Sequence, residues 1–421
     1  MRKTAITLCL AVMTIAATAQ GAYTLPRIVD SRVHSVQIAP ANNPYLPPIF
    51  VLGGDDVLLV SFDVLDYDVQ YLRYSITHCN ANWQPSALVE SEYVDGFNMA
   101  DIDDYRQSEA TFVHYYNYRF AIPNDDMRIT KSGNYLLTVY RQDDPEAILF
   151  TTRFMVSENS VGIGAQVTSR TDVDYNGRHQ QVSFDINTRW GTIKDPYNEL
   201  AAIVTQNSRL DNQAIVTKPL MVTGEKITFE HNPALIFAAG NEYRRFETVN
   251  VNSINMGVAS IGYFDPYYHA TLYTDVPRTE VQYLYDQTQH GHFTIRNSES
   301  FTDSDIDADY LITHFTLETG EQLTGGKLYL QGHFTQGLPT EKTLMRYDPN
   351  SGCYYCDILL KQGHYNYQYL WVPDGTDEGQ TFMIEGDKYQ TANEYLITVY
   401  DRPVGERYDH LIGHALIRAG R

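Results

Sequence analysis

Two groups of residues in the sequence have types and spacings that could bind a metal ion. Residues 303–309 place an aspartate at every second position, but an EF-hand needs Gly at the sixth position and Glu at the twelfth, where Ala308 and His314 stand. We interpret this stretch as an acidic, solvated linker and leave weak calcium binding open. His290 and His292 would share one face of a strand, which is half of a metal site without a third ligand nearby.

The cysteines could carry redox chemistry or bind zinc. Cys353 and Cys356 form a C-x-x-C pair on a predicted strand, which directs the two side chains to opposite faces. A redox pair usually needs a helix N-terminus to lower a thiol pKa, and no second C-x-x-C or His pair completes a zinc site. With Cys79 the count after the N-terminal segment is odd, so at least one thiol stays free or pairs between molecules. We interpret the three as structural or incidental thiols, with their oxidation state open.

Motifs for catalysis are missing from the sequence. The nearest approach to the G-x-S-x-G nucleophile turn is Gly257-Val-Ala-Ser-Ile-Gly262, which is one residue too long. The pair Gly162-x-Gly164 lacks the third glycine of a dinucleotide loop, and no Walker lysine pattern occurs. A glycosidase needs only two carboxylates, which an acidic protein supplies by chance. The sequence therefore predicts a protein that is not an enzyme, with no catalytic residues, no cofactor and no metal.

The last third of the chain could instead bind carbohydrate. Leu328-Tyr-Leu-Gln-Gly-His-Phe334, followed by Lys361-Gln-Gly-His-Tyr365, resembles the glycogen-binding, early-set immunoglobulin-like modules. Those modules stack a tryptophan on the sugar, and the corresponding place here lies near Gly337. We therefore expect that the sugar-binding tryptophan is lost and that Trp371 belongs to a sandwich core.

The first nineteen residues have the features of an export signal. Arg2 and Lys3 precede a mostly small, apolar run, and Ala17-Thr-Ala19 is an A-x-A cleavage site before Gln20. No apolar stretch has the length of a membrane-spanning helix, so we expect an exported, soluble mature protein without a direct membrane span. The net charge is −21 over 421 residues, and loss of Arg2 and Lys3 makes it −23. This acidic balance argues against nucleic acid or anionic lipid as a partner.

Alternation of apolar and polar residues with period two dominates the sequence and predicts β-strands. Short strands separated by turn clusters are typical of stacked β-sandwiches, so the predicted fold class is all-β, with tandem immunoglobulin-like and early-set sandwiches. The clearest predicted strands are 57–62, 71–76, 135–140, 182–186 and 395–400. Helical patterning is limited to one or two turns within residues 232–239.

The sequence predicts three domains after the signal peptide. The predicted units are a signal peptide at 1–19, an N-terminal immunoglobulin-like sandwich at 20–157, a middle β-rich domain at 158–299 and a C-terminal early-set-like sandwich at 300–421. Gly133-x-Tyr135 has the spacing of a tyrosine corner, in which the hydroxyl bonds back to the backbone, and marks the closing strands of the first sandwich. Residues 394–400 nearly repeat residues 134–140, which suits two sandwiches of similar design.

Five strings of residues carry a resemblance to one specific family. They are Tyr74-Ser-Ile-Thr-His-Cys-Asn-Ala-Asn-Trp-Gln-Pro-Ser86, Glu92-Tyr-Val-Asp-Gly-Phe97, Phe237-Ala-Ala-Gly-Asn-Glu-Tyr-Arg-Arg-Phe246, Leu360-Lys-Gln-Gly-His-Tyr-Asn-Tyr367 and Arg407-Tyr-Asp-His-Leu-Ile-Gly413. They resemble the plug-protein family of the Bacteroidota type IX secretion system and spread over nearly the whole mature chain. Ala238 stands where the family pattern would have proline.

The resemblance implies a periplasmic, non-enzymatic protein on the periplasmic side of the outer membrane. The implied partner is the outer-membrane β-barrel translocon of the type IX secretion system, whose periplasmic opening the family seals when the pore is idle. A periplasmic or surface glycan-binding β-sandwich protein is the alternative. Which face meets the translocon and what triggers release are left open.

The candidate contact surface is the aromatic stretch Gly262-Tyr-Phe-Asp-Pro-Tyr-Tyr-His269. Its Asp-Pro pair predicts a turn, with Phe264, Tyr267 and Tyr268 as candidate partner-binding residues. One interpretation is an exposed loop that inserts into a partner, because aromatic side chains are frequent binding anchors. The other is a turn whose aromatic rings pack onto the core of their own domain.

Overall fold

The computed structural model describes residues 25–188, 193–300 and 302–419. The predicted signal peptide at 1–19 lies outside these residues. Nearly all regular structure is strand, and the predicted all-β fold class is confirmed. The described helices are the single turns α1 (Glu90–Tyr93) and α2 (Ser304–Asp307) and the 3₁₀ turns η1 (Pro233–Leu235) and η2 (His333–Thr335). None of them has the length or apolar content of a membrane span.

The described strands are numbered in chain order. The first twelve are β1 (Arg27–Ile28), β2 (Val33–Pro40), β3 (Ile49–Val51), β4 (Leu58–Val64), β5 (Leu72–Cys79), β6 (Val94–Gly96), β7 (Ala100–Asp101), β8 (Asp104–Gln107), β9 (Tyr116–Ile122), β10 (Met127–Ile129), β11 (Gly133–Arg141) and β12 (Asp144–Ser157). The next seven are β13 (Gly162–Thr168), β14 (His179–Asn187), β15 (Leu200–Gln206), β16 (Ala214–Val216), β17 (Met221–Thr223), β18 (Lys226–Phe229) and β19 (Ile236–Ala238). The remainder are β20 (Arg244–Glu247), β21 (Val258–Phe264), β22 (Tyr267–Leu272), β23 (Phe293–Ile295), β24 (Tyr310–Glu318), β25 (Gly326–Gln331), β26 (Arg346–Asp348), β27 (Cys353–Lys361), β28 (Gly363–Pro373), β29 (Glu394–Asp401) and β30 (His410–Arg418).

The first sandwich is built from β1 to β12. One sheet has the order β1-β12-β11-β5-β7, with β3 parallel to β12, and the facing sheet has the order β2-β4-β9-β8. The alternation in β4 shows why these residues form a strand: Leu58, Val60 and Phe62 are buried between the sheets, whereas Leu59 points outward and is 43% exposed. The five clearest strands predicted from the sequence are all present, as β4, β5, β11, β14 and β29.

The tyrosine corner predicted at Tyr135 is confirmed. Its hydroxyl donates a hydrogen bond to the backbone carbonyl of Lys131 at 2.8 Å, and the ring is fully buried. A second corner has the same K-x-G-x-Y spacing: the hydroxyl of Tyr365 donates to the carbonyl of Lys361 at 2.5 Å. The near repeat at 394–400 does not form a corner, because the hydroxyl of Tyr395 donates to Gln180, on another strand.

The second sandwich requires strands from two distant parts of the chain. One of its sheets has the order β13-β14-β18-β17, with β19 beside β14, and the other has the order β16-β15-β29-β30. Leu200 pairs with Asp401 and Gln206 with Tyr395, so β15 and β29 are joined along their whole length. Tyr395, Ile397 and Val399 of β29 pack in one core with apolar side chains of β14 and β18.

The third sandwich is inserted in the second. Strand β28 pairs with β20, β23 and β25, and the facing sheet has the order β21-β22-β24-β27-β26. Its core includes Phe246, Phe315, Tyr365 and Trp371. The predicted boundaries at 158–299 and 300–421 are therefore wrong: β20 to β23 belong to the third sandwich, and β29 and β30 complete the second. The hydrogen bonds between β15 and β29 decide this assignment.

The acidic stretch 303–309 is not a solvated linker, contrary to the prediction. Asp303 caps α2 and pairs with Arg106 and Arg119 of the first sandwich at 2.5 and 3.0 Å. Asp309 is buried and accepts hydrogen bonds from the backbone N–H groups of Phe112 and Val113 at 2.7 and 3.1 Å. The carboxylates are held at a joint between two sandwiches because that joint supplies the donors they need.

Candidate partner-binding surface

Strands β21 and β22 form an antiparallel hairpin with Asp265-Pro266 at its turn. Tyr263 lies opposite Tyr268, and Phe264 lies opposite Tyr267. Because directly opposed residues project to the same face and successive pairs alternate, the two pairs lie on different faces of the hairpin. The predicted turn is present, and it brings the three candidate residues to one tip.

One face of the tip is an aromatic cluster shared by two sandwiches. The rings of Tyr263 and Tyr268 meet edge to face, with centroids 5.2 Å apart. Phe112, from a loop of the first sandwich, lies 4.7 Å from Tyr263 and 5.4 Å from Tyr268. These contacts hold the tip against the first sandwich, since such aromatic pairs add about 0.5–1.5 kcal/mol beyond area burial.

The other face presents Phe264 to solvent. Its side chain is 67% exposed, and its ring lies over Gly262, where an added Cβ would come within 3.2 Å of Cε2. The ring also meets His269 edge to face at 5.4 Å. Tyr267, opposite Phe264, is half-buried. Phe264 is thus an apolar side chain fixed in place by its own hairpin and left uncovered.

Behind Phe264 a row of polar side chains crosses three strands. Nδ1 of His269 lies 2.8 Å from Nε2 of His314, and Nδ1 of His314 lies 2.7 Å from Oδ1 of Asp357. A carboxylate can only accept, so His314 donates through Nδ1 and, when neutral, accepts through Nε2 from His269. The row fixes the ring of His269 and therefore the surface on which Phe264 rests.

The structure brings together the predicted residues and adds others that the sequence did not indicate. Tyr268 packs within a cluster and Phe264 does not reach any core, so neither interpretation of the stretch describes all of it. Phe112 was missed because it stands about 150 positions away in the chain, and no local pattern links it to the hairpin. His314 and Asp357 were missed because strand order decides their contact.

The three described cysteines are free and buried. Burial raises the pKa of Cys79 to about 11 and that of Cys356 to about 12, which keeps both as unreactive thiols at neutral pH. Cys353 and Cys356 both stand on β27, as expected. Because three positions separate them on a strand, their side chains project to opposite faces. The expectation that Trp371 is a core residue is confirmed, because it is buried in the third sandwich.

The two histidines considered for metal binding have other contacts. The ring of His292 packs against that of His333, with centroids 3.8 Å apart and planes tilted by 50°, and Nε2 of His290 lies 3.5 Å from Oε1 of Glu394. Across the described ranges no group of three or more His, Cys, Asp or Glu side chains is placed to hold a metal ion.

Comparisons with known proteins identify the family. Residues 33–158, which contain β2 to β12 of the first sandwich, match the model of the type 9 secretion system plug protein 1st domain. A crystal structure of a hypothetical protein from Parabacteroides merdae is 42% identical, with a TM-score of 0.92, and the match covers 94% of this chain and 99% of that one. No significant match was found among curated proteins.

Another solved structure resembles the chain only weakly. The alkylpurine DNA glycosylase of Pseudomonas fluorescens bound to DNA is 11% identical, covers 30% of each chain and has a TM-score of only 0.19. The family model spans two of the five strings that carry the sequence resemblance, residues 74–86 and 92–97. The chain belongs to the type 9 secretion system plug protein family.

Proposed function

We propose that the protein is a periplasmic plug, which binds the periplasmic opening of the outer-membrane translocon of the type IX secretion system and seals it when the pore is idle. Family membership supports the association with this secretion system. The observation that supports a direct contact with the translocon is the position of Phe264. This aromatic side chain is exposed and is held in place at the tip of a hairpin.

A rigid aromatic tip suits an interface that must form firmly and still release. Binding energy at protein interfaces is concentrated in a few aromatic or Arg anchors surrounded by a polar rim. Here Phe264 is the anchor, and Asp265 and the row from His269 to Asp357 provide polar neighbours. Since the hairpin is already ordered by Phe112, binding costs little additional conformational entropy.

The net charge of the protein supports the proposal that some molecules remain in solution, not bound to the translocon. A net charge near −23 for the mature chain favours solubility and weak self-repulsion. The plug can therefore leave the pore and wait free in the periplasm rather than associate with itself.

A pull-down from detergent-solubilised outer membranes tests the contact. Tagged wild-type protein is expected to retain the translocon, and the triple variant Phe264→Ala/Tyr267→Ala/Tyr268→Ala is expected to retain much less. Phe97→Ala is the matched control, because Phe97 is also aromatic, is 76% exposed and lies far along the chain from the hairpin. Equal retention by the triple variant and the control would exclude the hairpin as the contact.

A permeability measurement tests the seal. A strain that lacks the plug but keeps an assembled, empty translocon is expected to admit large antibiotics that the outer membrane normally excludes. Cargo export can continue in that strain. A normal permeability barrier would overturn the plug role, and retention of the protein on glycans in place of the translocon would favour the alternative of a glycan-binding protein.

A further inference from the structure

A cleft of about 460 Å³ lies where the three sandwiches meet. Its apolar wall combines Ile38, Leu46 and Leu59 of the first sandwich, Ile203 and Leu396 of the second, and Phe293 of the third. Leu46 and Leu59 remain exposed although the cleft surrounds them. Small-molecule sites commonly enclose about 300–1,000 Å³ and are lined mostly by apolar groups with few polar ones, so the cleft has the size and character of a binding site.

One cation in this cleft has no counter-ion. Arg153 of β12 lines the cleft, and its guanidinium stacks on Trp83 with the carbon 4.2 Å from the ring centroid. Within the described part of the chain, its Nε is buried without a hydrogen-bond partner, and no carboxylate pairs with it. Asp305, which also lines the cleft, is already bound by Arg119.

The surroundings of Arg153 leave its charge uncompensated. Burial lowers the pKa of Arg153 to about 10, so the side chain stays a cation at neutral pH. The ionisable groups that act on it are Cys79 and Tyr400, and burial raises their pKa values to about 11 and about 12. Both are neutral at pH 7. A half-buried cation without an anion is costly unless a ligand supplies one.

We propose that this cleft binds an amphipathic carboxylate, a small molecule whose acid group pairs with Arg153 and whose apolar chain lies along the wall formed by the three sandwiches. A planar guanidinium matches a carboxylate with two parallel hydrogen bonds. Trp83 covers one face of the guanidinium. The site does not depend on the plug role, because it lies among the sandwiches and not at the hairpin.

Isothermal titration calorimetry with dodecanoate and dodecanol tests the charge requirement on the unmodified protein. Dodecanoate is expected to bind at least tenfold more tightly than dodecanol, which has the same chain and no charge. Octanoate is expected to bind more weakly than dodecanoate, by up to about fourfold for each methylene removed. Equal affinity for acid and alcohol, or affinity that does not change with chain length, would overturn the proposal.

The variant Arg153→Met locates the acid group. It is expected to weaken dodecanoate binding at least tenfold and to leave dodecanol binding within twofold. Arg141→Met serves as the control, because Arg141 is exposed and pairs with Asp143 at 3.1 Å, and it is expected to bind dodecanoate as the wild type does. Unchanged dodecanoate binding by a folded Arg153→Met variant would place the ligand elsewhere and overturn the assignment.

Discussion

Lys361 of the third sandwich donates a hydrogen bond from Nζ to Oδ2 of Asp63 in the first sandwich, at 2.5 Å, and both side chains are buried. Tyr310 and Asn117 complete the shell of the carboxylate, through donors at 2.6 and 2.8 Å. Nζ of Lys361 also donates to a backbone carbonyl and lies 4.0 Å from the centroid of the Tyr115 ring. Two sandwiches are thus joined by an ion pair in which both the ammonium of Lys361 and the carboxylate of Asp63 have further hydrogen-bond partners.

Lys361→Met is expected to lower the free energy of unfolding by about 3–5 kcal/mol, because it leaves Asp63 buried without a cation. Urea denaturation measures the change. The double variant Asp63→Asn/Lys361→Met is expected to recover a large part of the loss, because it removes the unpaired charge. Lys226→Met is the control: Lys226 forms a solvent-exposed pair with Asp185 at 2.8 Å, and its loss is expected to change the free energy of unfolding little. An effect of Lys361→Met no larger than that of the control would show that the buried pair is dispensable.

Tyr135→Phe and Tyr365→Phe are each expected to destabilise the protein by about 1 kcal/mol or somewhat more, because each leaves a buried carbonyl without its donor. Thermal melts of the two variants measure this loss. Tyr71→Phe, at a tyrosine that is 62% exposed, is expected to change nothing. Equal melting temperatures for the three variants would show that neither tyrosine corner stabilises the protein.

Phe112→Ala is expected to loosen the hairpin without unfolding it, because Phe112 is 55% exposed and contacts the hairpin through Tyr263 and Tyr268. Hydrogen exchange should become faster at the amides of residues 258–272 and remain unchanged in the core strand β11. Phe264→Ala, which leaves the shared cluster intact, is the comparison and should not change exchange there. Equal exchange in Phe112→Ala and wild-type protein would show that the first sandwich does not hold the tip.

Asp401 gives the stability of the protein a dependence on pH. Burial, together with the nearby Glu199, raises the pKa of its carboxyl to about 6, and within the described ranges its Oδ1 has no hydrogen-bond partner. His410 acts in the opposite direction, and Glu158 adds to the upward shift. The folded state therefore keeps the proton to higher pH than the unfolded chain does, and this carboxyl weakens the fold as pH rises from about 4 through about 6.

Asp401→Asn is expected to raise the melting temperature at pH 7.5 and to raise it much less at pH 4, where the carboxyl is protonated in the folded state and only about half ionised in the unfolded state. Differential scanning calorimetry at the two pH values measures the contrast. Asp143→Asn is the control, because Asp143 is well exposed and should give no gain at either pH. A gain of the same size at pH 4 and pH 7.5 would exclude ionisation as the cause.

The sequence predicted the local structure better than the connections between distant strands. The period-two alternation located β4 and β11, and the spacing Gly133-x-Tyr135 predicted a side-chain hydrogen bond, because both depend on residues close in the chain. The insertion of the third sandwich was not predicted, since alternation indicates a strand without indicating its partner. For the same reason, the sequence did not predict the contact of Phe112 with the hairpin.

The insertion of the third sandwich also sets the order in which the sandwiches can be completed during synthesis of the chain. A chain that emerges from its N-terminal end can close the first sandwich once residue 157 has appeared. The second sandwich begins at β13 but must wait for β29 and β30, after the whole inserted sandwich has emerged. During that interval the edge of β15 that later pairs with β29 stays open to pairing with another chain.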